Sequence, residues 1–564
     1  MNSQLSNGRA AEDVQQEQRE QERSSKDMGA ANGHCTKSDQ AIKEHLTELF
    51  DSLPQKSPLR DRIEFTVCES VATISDKTRS DSKKIRLFSP FSYLKHLLDG
   101  TEGSMLIDQL LSLLNTPSLM TLHALPDVHA GKVFPVGISC TYSADSPSCA
   151  VIPDLIGADI NCGVRVWSTA IKKSLFMEKR QRIMDLVAER IKIDVRCSDV
   201  PVLGDENDGT AINSSNAQSS AAKGNKSTDC CIDGIGTVNI NSVVTEGISY
   251  LVRIGLATPS DLSCTEYAGS MPVSSGRVLS AKTKHRGIVQ LGTLGSGNHY
   301  LEFQSVSKVY NNKTCTDLGL DTDSICISVH TGSRGLGSRA VHEYLSKCHL
   351  YRNAATGVCE VPLDSKLAQE YLETVNACSN YAFCNRVIIG KLLEQILLEV
   401  FNEDIRMGAI SDSVHNVMRL EGNVLTVRKG STKLGNTSST AIKGSRDISV
   451  SSNNMPSVVS VGGSMSTGSY ILEAGPSASM TDYTTCHGSG RIIRRKDVSS
   501  TISLADTFSE LSTADVLVLA GNADKLPEES SRTYKCIDAV VEYCETVGIS
   551  NRVCKLVPLS VLKG

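Results

Sequence analysis

The chain has 564 residues, 40% of them apolar but only 4% aromatic, so a sizeable core is available and rests on Leu, Ile, Val and Ala. A formal net charge of −5 excludes a globally basic nucleic-acid coat, though not a local basic groove. Nineteen cysteines, scattered and odd in number, argue against a secreted disulfide framework, and no apolar run reaches the ~18–20 residues of a membrane span. With an acid-rich N-terminus lacking a signal core, the expectation is a cytoplasmic or nuclear protein with reduced thiols.

Residues 1–41 offer almost nothing to bury and are expected to form a disordered tail. Order is expected from a helical run at 42–53 onward, with 42–564 as one domain. Residues 150–153 lead into the loop Gly-Ala-Asp-Ile-Asn-Cys-Gly (157–163), and 164–169 reads as a strand. Over 176–192, Ile183, Leu186, Val187 and Ile191 share one helical face. Segments at about 204–235 and 431–459, rich in Ser and Asn, have the composition of polar insertions. Short strands are predicted at 288–291 and 325–329, each running into a motif loop, followed by helices at 366–387 and 391–402. The apolar-rich stretch 553–562 is able to pack as a final strand and carry Lys563 inward, although chain ends usually fray.

The chemistry-bearing residues sit in polar or glycine-rich loops. Asp159 and Cys162 lie three apart and can direct a carboxylate and a thiol at one point; a lone buried cysteine is otherwise a small hydrophobe. His299 closes Gly-Ser-Gly-Asn-His (295–299), where a structural turn is the alternative reading, and Glu302 points the same way if the chain turns helical. His330 ends a strand and precedes Thr-Gly-Ser-Arg-Gly-Leu-Gly (331–337), whose amides and Arg334 can meet phosphate. His415, beside Asn416, is the weakest candidate taken alone and reads by default as a surface histidine capping a turn. His487, in Cys-His-Gly-Ser-Gly-Arg (486–491), is unshielded and has Arg491 four residues on. That suits an imidazole nucleophile attacking an α-phosphate; the alternative is a further metal ligand. The remaining histidines read as ordinary, except His129 in Pro-Asp-Val-His-Ala-Gly (126–131). There is no P-loop and no Lys-x-Asp-Gly lysine-nucleophile motif. Imidazole, thiolate and carboxylate together point to metal-assisted phosphoryl or nucleotidyl transfer.

Taken together these segments resemble the RtcB family, the GTP- and manganese-dependent RNA ligases that splice tRNA. The resemblance runs from about residue 120 to the last residue. It rests on 126–132, 157–163, Gly-Thr-Leu-Gly-Ser-Gly-Asn-His (292–299), His-Thr-Gly-Ser-Arg-Gly-Leu-Gly (330–337), Ala-Cys-Ser-Asn-Tyr-Ala-Phe-Cys-Asn-Arg (377–386) and His-Asn (415–416). Arg-Lys-Gly-Ser-Thr (428–432), Gly-Gly-Ser-Met-Ser-Thr-Gly-Ser-Tyr (462–470), 486–491 and the terminal Pro-Leu-Ser-Val-Leu-Lys-Gly (558–564) complete it.

The resemblance implies an α/β (α+β) fold: one large catalytic domain with a central mixed sheet, rather than a doubly wound nucleotide-binding domain. It implies two Mn²⁺ ions, one held by Cys162, His299 and His330, the other by Asp159, Cys162 and His415. GTP is then gripped by Asn298, Glu302, Asn416, Ser464, Ser469 and Lys563, with His415, Gly462, Gly463, Met465, Gly488, Ser489 and Gly490 lining the same site. His487 becomes guanylylated, and Asp127 fixes its tautomer. The implied partners are tRNA halves or other cleaved RNA and an archease-type activating protein. The implied reaction joins a 2′,3′-cyclic phosphate or 3′-phosphate end to a 5′-hydroxyl end; the rival reading is an impaired paralogue that only binds RNA. Three positions depart from the family pattern: Val427 for His, Ser466 for Gly and Arg494 for Ser. An RNA groove, if cationic, is expected from Arg428, Lys429, Lys433, Arg491, Arg494 and Arg495.

Overall fold

The computed structural model describes residues 63–68, 71–77, 83–90, 100–193, 228–354, 356–435 and 457–564, together with Glu44, Tyr93 and Val195. The expected tail (1–41) lies outside them, as does the run 42–53 apart from Glu44. Within them the architecture is the mixed α/β one anticipated, built on two large sheets.

The sheet that carries the chemistry has eight strands. Its spatial order is Met407–Val414, Gly163–Lys172, Ser324–Thr331, Tyr300–Val309, Ser550–Lys563, Ser469–Ala474 and Val458–Gly462, with Leu517–Ala520 joining parallel to Ser550–Lys563. The Ser324–Thr331 strand is buried at every position, which accounts for its near-continuous apolar sequence. The two ends of this order approach each other: the Ser411 hydroxyl donates to the Val458 carbonyl at 2.7 Å, so the sheet curls toward closure. A second sheet of seven strands includes Leu119–His129 and Val136–Ser143, whose neighbour is Val424–Lys429.

The core between the first sheet and its helices is aliphatic, with Phe176 stacked on Phe303 at 5.1 Å. The helices predicted at 366–387 and 391–402 are one helix, Lys366–Phe401, capped by the Ser365 side chain and ended by Asn402 in the left-handed region. The gap left at 388–390 is helical and buried, and Gly390 packs against the indole of Trp167: a Cβ there would lie 2.6 Å from Trp167 Cζ2. Gly390→Val is therefore expected to cost about 1–3 kcal/mol through overpacking, read as a lowered midpoint of thermal unfolding; an unchanged midpoint would show that the helix moves freely off the sheet.

Residues 288–291 are not a strand. They close and leave the helix Ala281–Gln290, which Ser280 caps through the Thr283 amide; a four-residue apolar run carries no period of its own. The bounds proposed for the insertions from composition also take in regular structure. Residues 229–239 form the hairpin Asp229–Ile232/Gly236–Asn239, and Ser431–Lys433 pairs with Thr484–Cys486. Residues 204–227 and 436–456 lie outside the described residues.

Candidate metal centre and nucleotide cleft

Strand register explains why ligands far apart in sequence meet. Gly163, just after Cys162, pairs with Thr331 on one side and Val414 on the other, while His330 pairs with Tyr300, next to His299. The His415 amide donates to the Cys162 carbonyl at 2.9 Å. Asp159, Cys162, His299, His330 and His415 thus collect at one end of four adjoining strands.

Cys162 Sγ lies 3.2 Å from His330 Nε2 and 3.4 Å from His299 Nε2. His330 Nε2 faces His415 Nε2 at 3.2 Å, and His299 Nε2 lies 2.9 Å from Asp159 Oδ2. Two groups, Cys162/His330/His415 and Asp159/Cys162/His299, each place one donor atom per residue within 4.8 Å of one another. Cys162 belongs to both; the histidines divide between the groups differently from the pairing that the resemblance implies.

Burial, reinforced by neighbouring histidines, holds His330 and His415 well below the ordinary imidazole range, so each ring is neutral and offers one nitrogen lone pair. Burial opposes ionisation of Asp159, but the adjoining His299 brings it down to about 2. Burial and the Asp159 charge push the Cys162 thiol well up. Soft and borderline donors crowded at hydrogen-bond distance with few protons to share fit divalent transition metals.

His487 follows the Thr484–Cys486 strand, and its ring centroid lies 4.8 Å from that of His415. Its Nδ1 is 2.7 Å from Asp127 Oδ2, and its own amide and that of Gly488 donate to the same oxygen at 3.0 and 3.4 Å. Asp127 is fully buried on Leu119–His129. With the Nδ1 proton directed at this carboxylate, the ring's lone pair sits on Nε2. His129, beside it, is lowered by burial to about 4 and bonds to the Asp127 carbonyl at 2.9 Å.

A cleft of about 810 Å³ opens over His487 and His330. Among the residues singled out for a nucleotide, Asn298, Glu302, Gly462, Gly463, Ser464, Met465, Gly488, Ser489, Gly490 and Lys563 line it. His415, Asn416 and Ser469 do not: Asn416 bonds the Asp159 carbonyl, and Ser469 accepts from Gln304 behind Glu302. Glu302 lies on an extended strand, not the helical turn considered for it. Burial raises its carboxyl to about 8 against the lowering influence of Lys563 and of a bond from Gln304. Lys563 is 3% exposed at the end of the last strand, donating to the carbonyls of Gly297 and His299 and paired with Glu529 at 3.3 Å.

The cations proposed for an RNA groove fare unevenly. Arg428 is fully buried, paired with Glu266 and bonded to the Val414 carbonyl, so it braces strands instead of facing a groove. Lys429 is turned onto the carbonyls of Phe134 and Asp154 and lowered by burial to about 8; burial also lowers Lys433. Arg491, Arg494 and Arg495 do line the cleft, though Arg491 is committed to Tyr534 and the Glu528 carbonyl. Arg334 bonds Thr293 and the Ile193 carbonyl and is not among the lining residues. The Ser466 hydroxyl is turned onto Glu510, and Val427 is core. Sequence reasoning missed Glu529 and Tyr534 in the cleft lining, Lys535 on the backbone either side of Asp127, and Arg386 beneath the cluster; no local motif marks the first three, and Arg386 closes the quoted 377–386 segment.

A mixed α/β protein that places such a donor cluster beside a carboxylate-oriented histidine at the floor of one cleft falls in the class of candidate metal-dependent transfer proteins. Comparison with known proteins makes this specific. The sequence profile described as "tRNA-splicing ligase RtcB" matches residues 109–564, and the chain belongs to the RtcB family of RNA ligases. It is 28% identical over 469 residues to "RNA-splicing ligase RtcB homolog 1" of Entamoeba dispar, covering 79% of this chain and 80% of that one. It is 29% identical over 482 residues to the protein of the same name from Entamoeba histolytica, covering 82% and 84%. Among the described residues no helix is long and apolar enough to cross a membrane.

Proposed function

We propose that the protein seals RNA, joining a 2′,3′-cyclic phosphate or 3′-phosphate end to a 5′-hydroxyl end at the expense of GTP, with residues 42–564 acting as one catalytic unit. The observation that carries this reading is the juxtaposition of His487, oriented by Asp127 at 2.7 Å, with the five-residue donor cluster across the His415 ring.

Asp159, Cys162, His299, His330 and His415 would hold two Mn²⁺ ions, with Cys162 shared. Bound there, the ions supply charge neutralisation to a triphosphate and polarise the attacked phosphorus. His487 Nε2 attacks the α-phosphorus of GTP, forming an N–P bond as pyrophosphate leaves, while the Nδ1 proton stays directed at Asp127. The GMP group passes from His487 to the RNA 3′-phosphate, after any cyclic phosphate has been opened, and the 5′-hydroxyl then displaces GMP. Asn298, the 462–465 and 488–490 backbone, Glu302 and Lys563 hold the nucleotide in the cleft, with His415, Asn416 and Ser469 behind it. Cleaved RNA, including tRNA halves, is the substrate, and an archease-type protein is the proposed activator.

Incubating an RNA ending in 3′-phosphate and one beginning with 5′-hydroxyl with the protein, GTP and Mn²⁺ should give a joined product; RNA that is bound but never joined would favour the impaired, RNA-binding reading.

Glu302 gives this reading a pH signature. A carboxylate accepts from the N1–H and exocyclic amine of guanine, whereas the acid form offers one acceptor fewer. Because the group titrates at about 8, most of it is protonated near neutrality and must ionise to bind. Affinity for GTP should therefore rise with pH, about tenfold from about pH 7 to about pH 9. Calorimetric titration across that range checks it, and Glu302→Gln should be weak and flat; a wild-type affinity that falls or stays level with pH would contradict the role.

A further inference from the structure

We propose that Lys535 is a positioning residue for the nucleophile, acting through Asp127; this rests on the reading of His487 as the group that is guanylylated. Its ammonium is buried, with the residue 6% exposed, and donates to the carbonyls of Pro126 and Val128, both at 2.8 Å. These two carbonyls flank Asp127, so one cation grips the backbone on either side of the carboxylate that orients His487. The backbone of Lys535 grips the other partner: its amide donates at 2.9 Å to the carbonyl of Gly490, in the loop that carries His487.

That loop leaves no slack. Gly490 has φ +75°, and a Cβ on it would lie 2.1 Å from the Asp127 carbonyl oxygen. Asp127 and the 487–490 loop are therefore in backbone contact, and Lys535 is bonded to both. Among the described residues no carboxylate lies within ion-pair distance of this ammonium, whereas Asp127 Oδ1 is a buried oxygen without a hydrogen-bond partner. The cation's compensation comes from carbonyls, from the Asp127 charge and from the face of Tyr93, whose centroid is 5.6 Å away. Burial lowers the ammonium to about 8, with Asp127 opposing that shift, so it carries its charge near neutrality. A buried ammonium whose hydrogen bonds all go to carbonyls carries a desolvation cost that an apolar side chain at this position would not. Here the ammonium fixes the backbone on both sides of the carboxylate whose Oδ2 meets the histidine ring.

Lys535→Met keeps the length and apolar stem but removes donor and charge; Lys535→Arg keeps both. With labelled GTP and Mn²⁺, formation of the covalent GMP adduct is followed in single turnover, and GTP affinity and thermal unfolding are measured on the same samples. The Met variant should form the adduct about 10- to 100-fold more slowly at saturating GTP with its GTP affinity within about twofold of wild type, and the Arg variant should recover most of the rate. In an Asp127→Asn background the same Met substitution should slow the reaction by less than about twofold, since its effect passes through the carboxylate. Equal rates in Lys535→Met and wild type, additive losses in the double variant, or a loss confined to GTP affinity would each overturn the proposal. Should Lys535→Met fail to fold, Lys535→Arg against Lys535→Gln gives the same contrast, equal rates in the two overturning it. Absence of any adduct in the wild-type protein would instead overturn the guanylylation reading itself.

Discussion

Replacing Cys162 by alanine is expected to lower bound manganese from about two ions per chain to fewer than about one, whereas His415→Ala retains about one. Cys162 is the only residue common to both donor groups, with its Sγ within 3.4 Å of two imidazole nitrogens. On the proposed two-ion reading, alanine removes a polarisable sulfur donor shared by both ions and leaves His299 and His330 facing a gap. His415 reaches one group only. Metal content after equilibrium dialysis against Mn²⁺ separates the cases, and a Cys162→Ala protein that still carries the wild-type complement would show that the thiol is a spectator. The fold should survive the change, because the loop is also held by Arg386, which donates to the carbonyls of Asn161 and Thr331 and to Asp412.

The second large effect falls on Asp127. Asp127→Asn should slow adduct formation on the order of 10³–10⁴-fold, the scale seen where an aspartate orienting a catalytic histidine becomes asparagine. The single oxygen Oδ2 accepts from the His487 ring and from the amides of residues 487 and 488, so an asparagine that turns its NH2 to the ring gives up all three bonds. What is lost is the acceptor for the Nδ1 proton, and with it the tautomer that leaves Nε2 nucleophilic. Transfer of label from GTP in single turnover measures it; a loss below about tenfold would mean that other contacts orient the ring.

The donor cluster was legible in the sequence because each member stands in a short polar or glycine-rich loop at a strand end, where a side chain is free to project from a fixed backbone. Strand 324–331, buried at every position, and the last strand, buried over 558–563, were legible for another reason: a strand buried on both faces is rich in apolar residues, and both stretches are. The failures have physical causes too. The 288–291 run is the tail of a helix whose start signal, Ser280, lies outside the apolar window. The gap left at 388–390 contains Gly390, whose missing side chain makes room for Trp167. Arg428 looks like a groove cation because its counter-charge, Glu266, lies 162 residues away and carries no motif. Lys535 has the same character, its partners lying 407 and 409 residues back in the chain. Charges neutralised through tertiary contacts are the part of a site that local pattern does not reveal.

The most direct measurement of the central claim is the fate of the α-phosphate of GTP. Protein incubated with α-labelled GTP and Mn²⁺, then denatured and digested, should carry label on the peptide containing His487, with the acid lability of a phosphoramidate and none of it in His487→Ala. Label on another residue, or no covalent label at all in metal-loaded wild-type protein, would contradict the account.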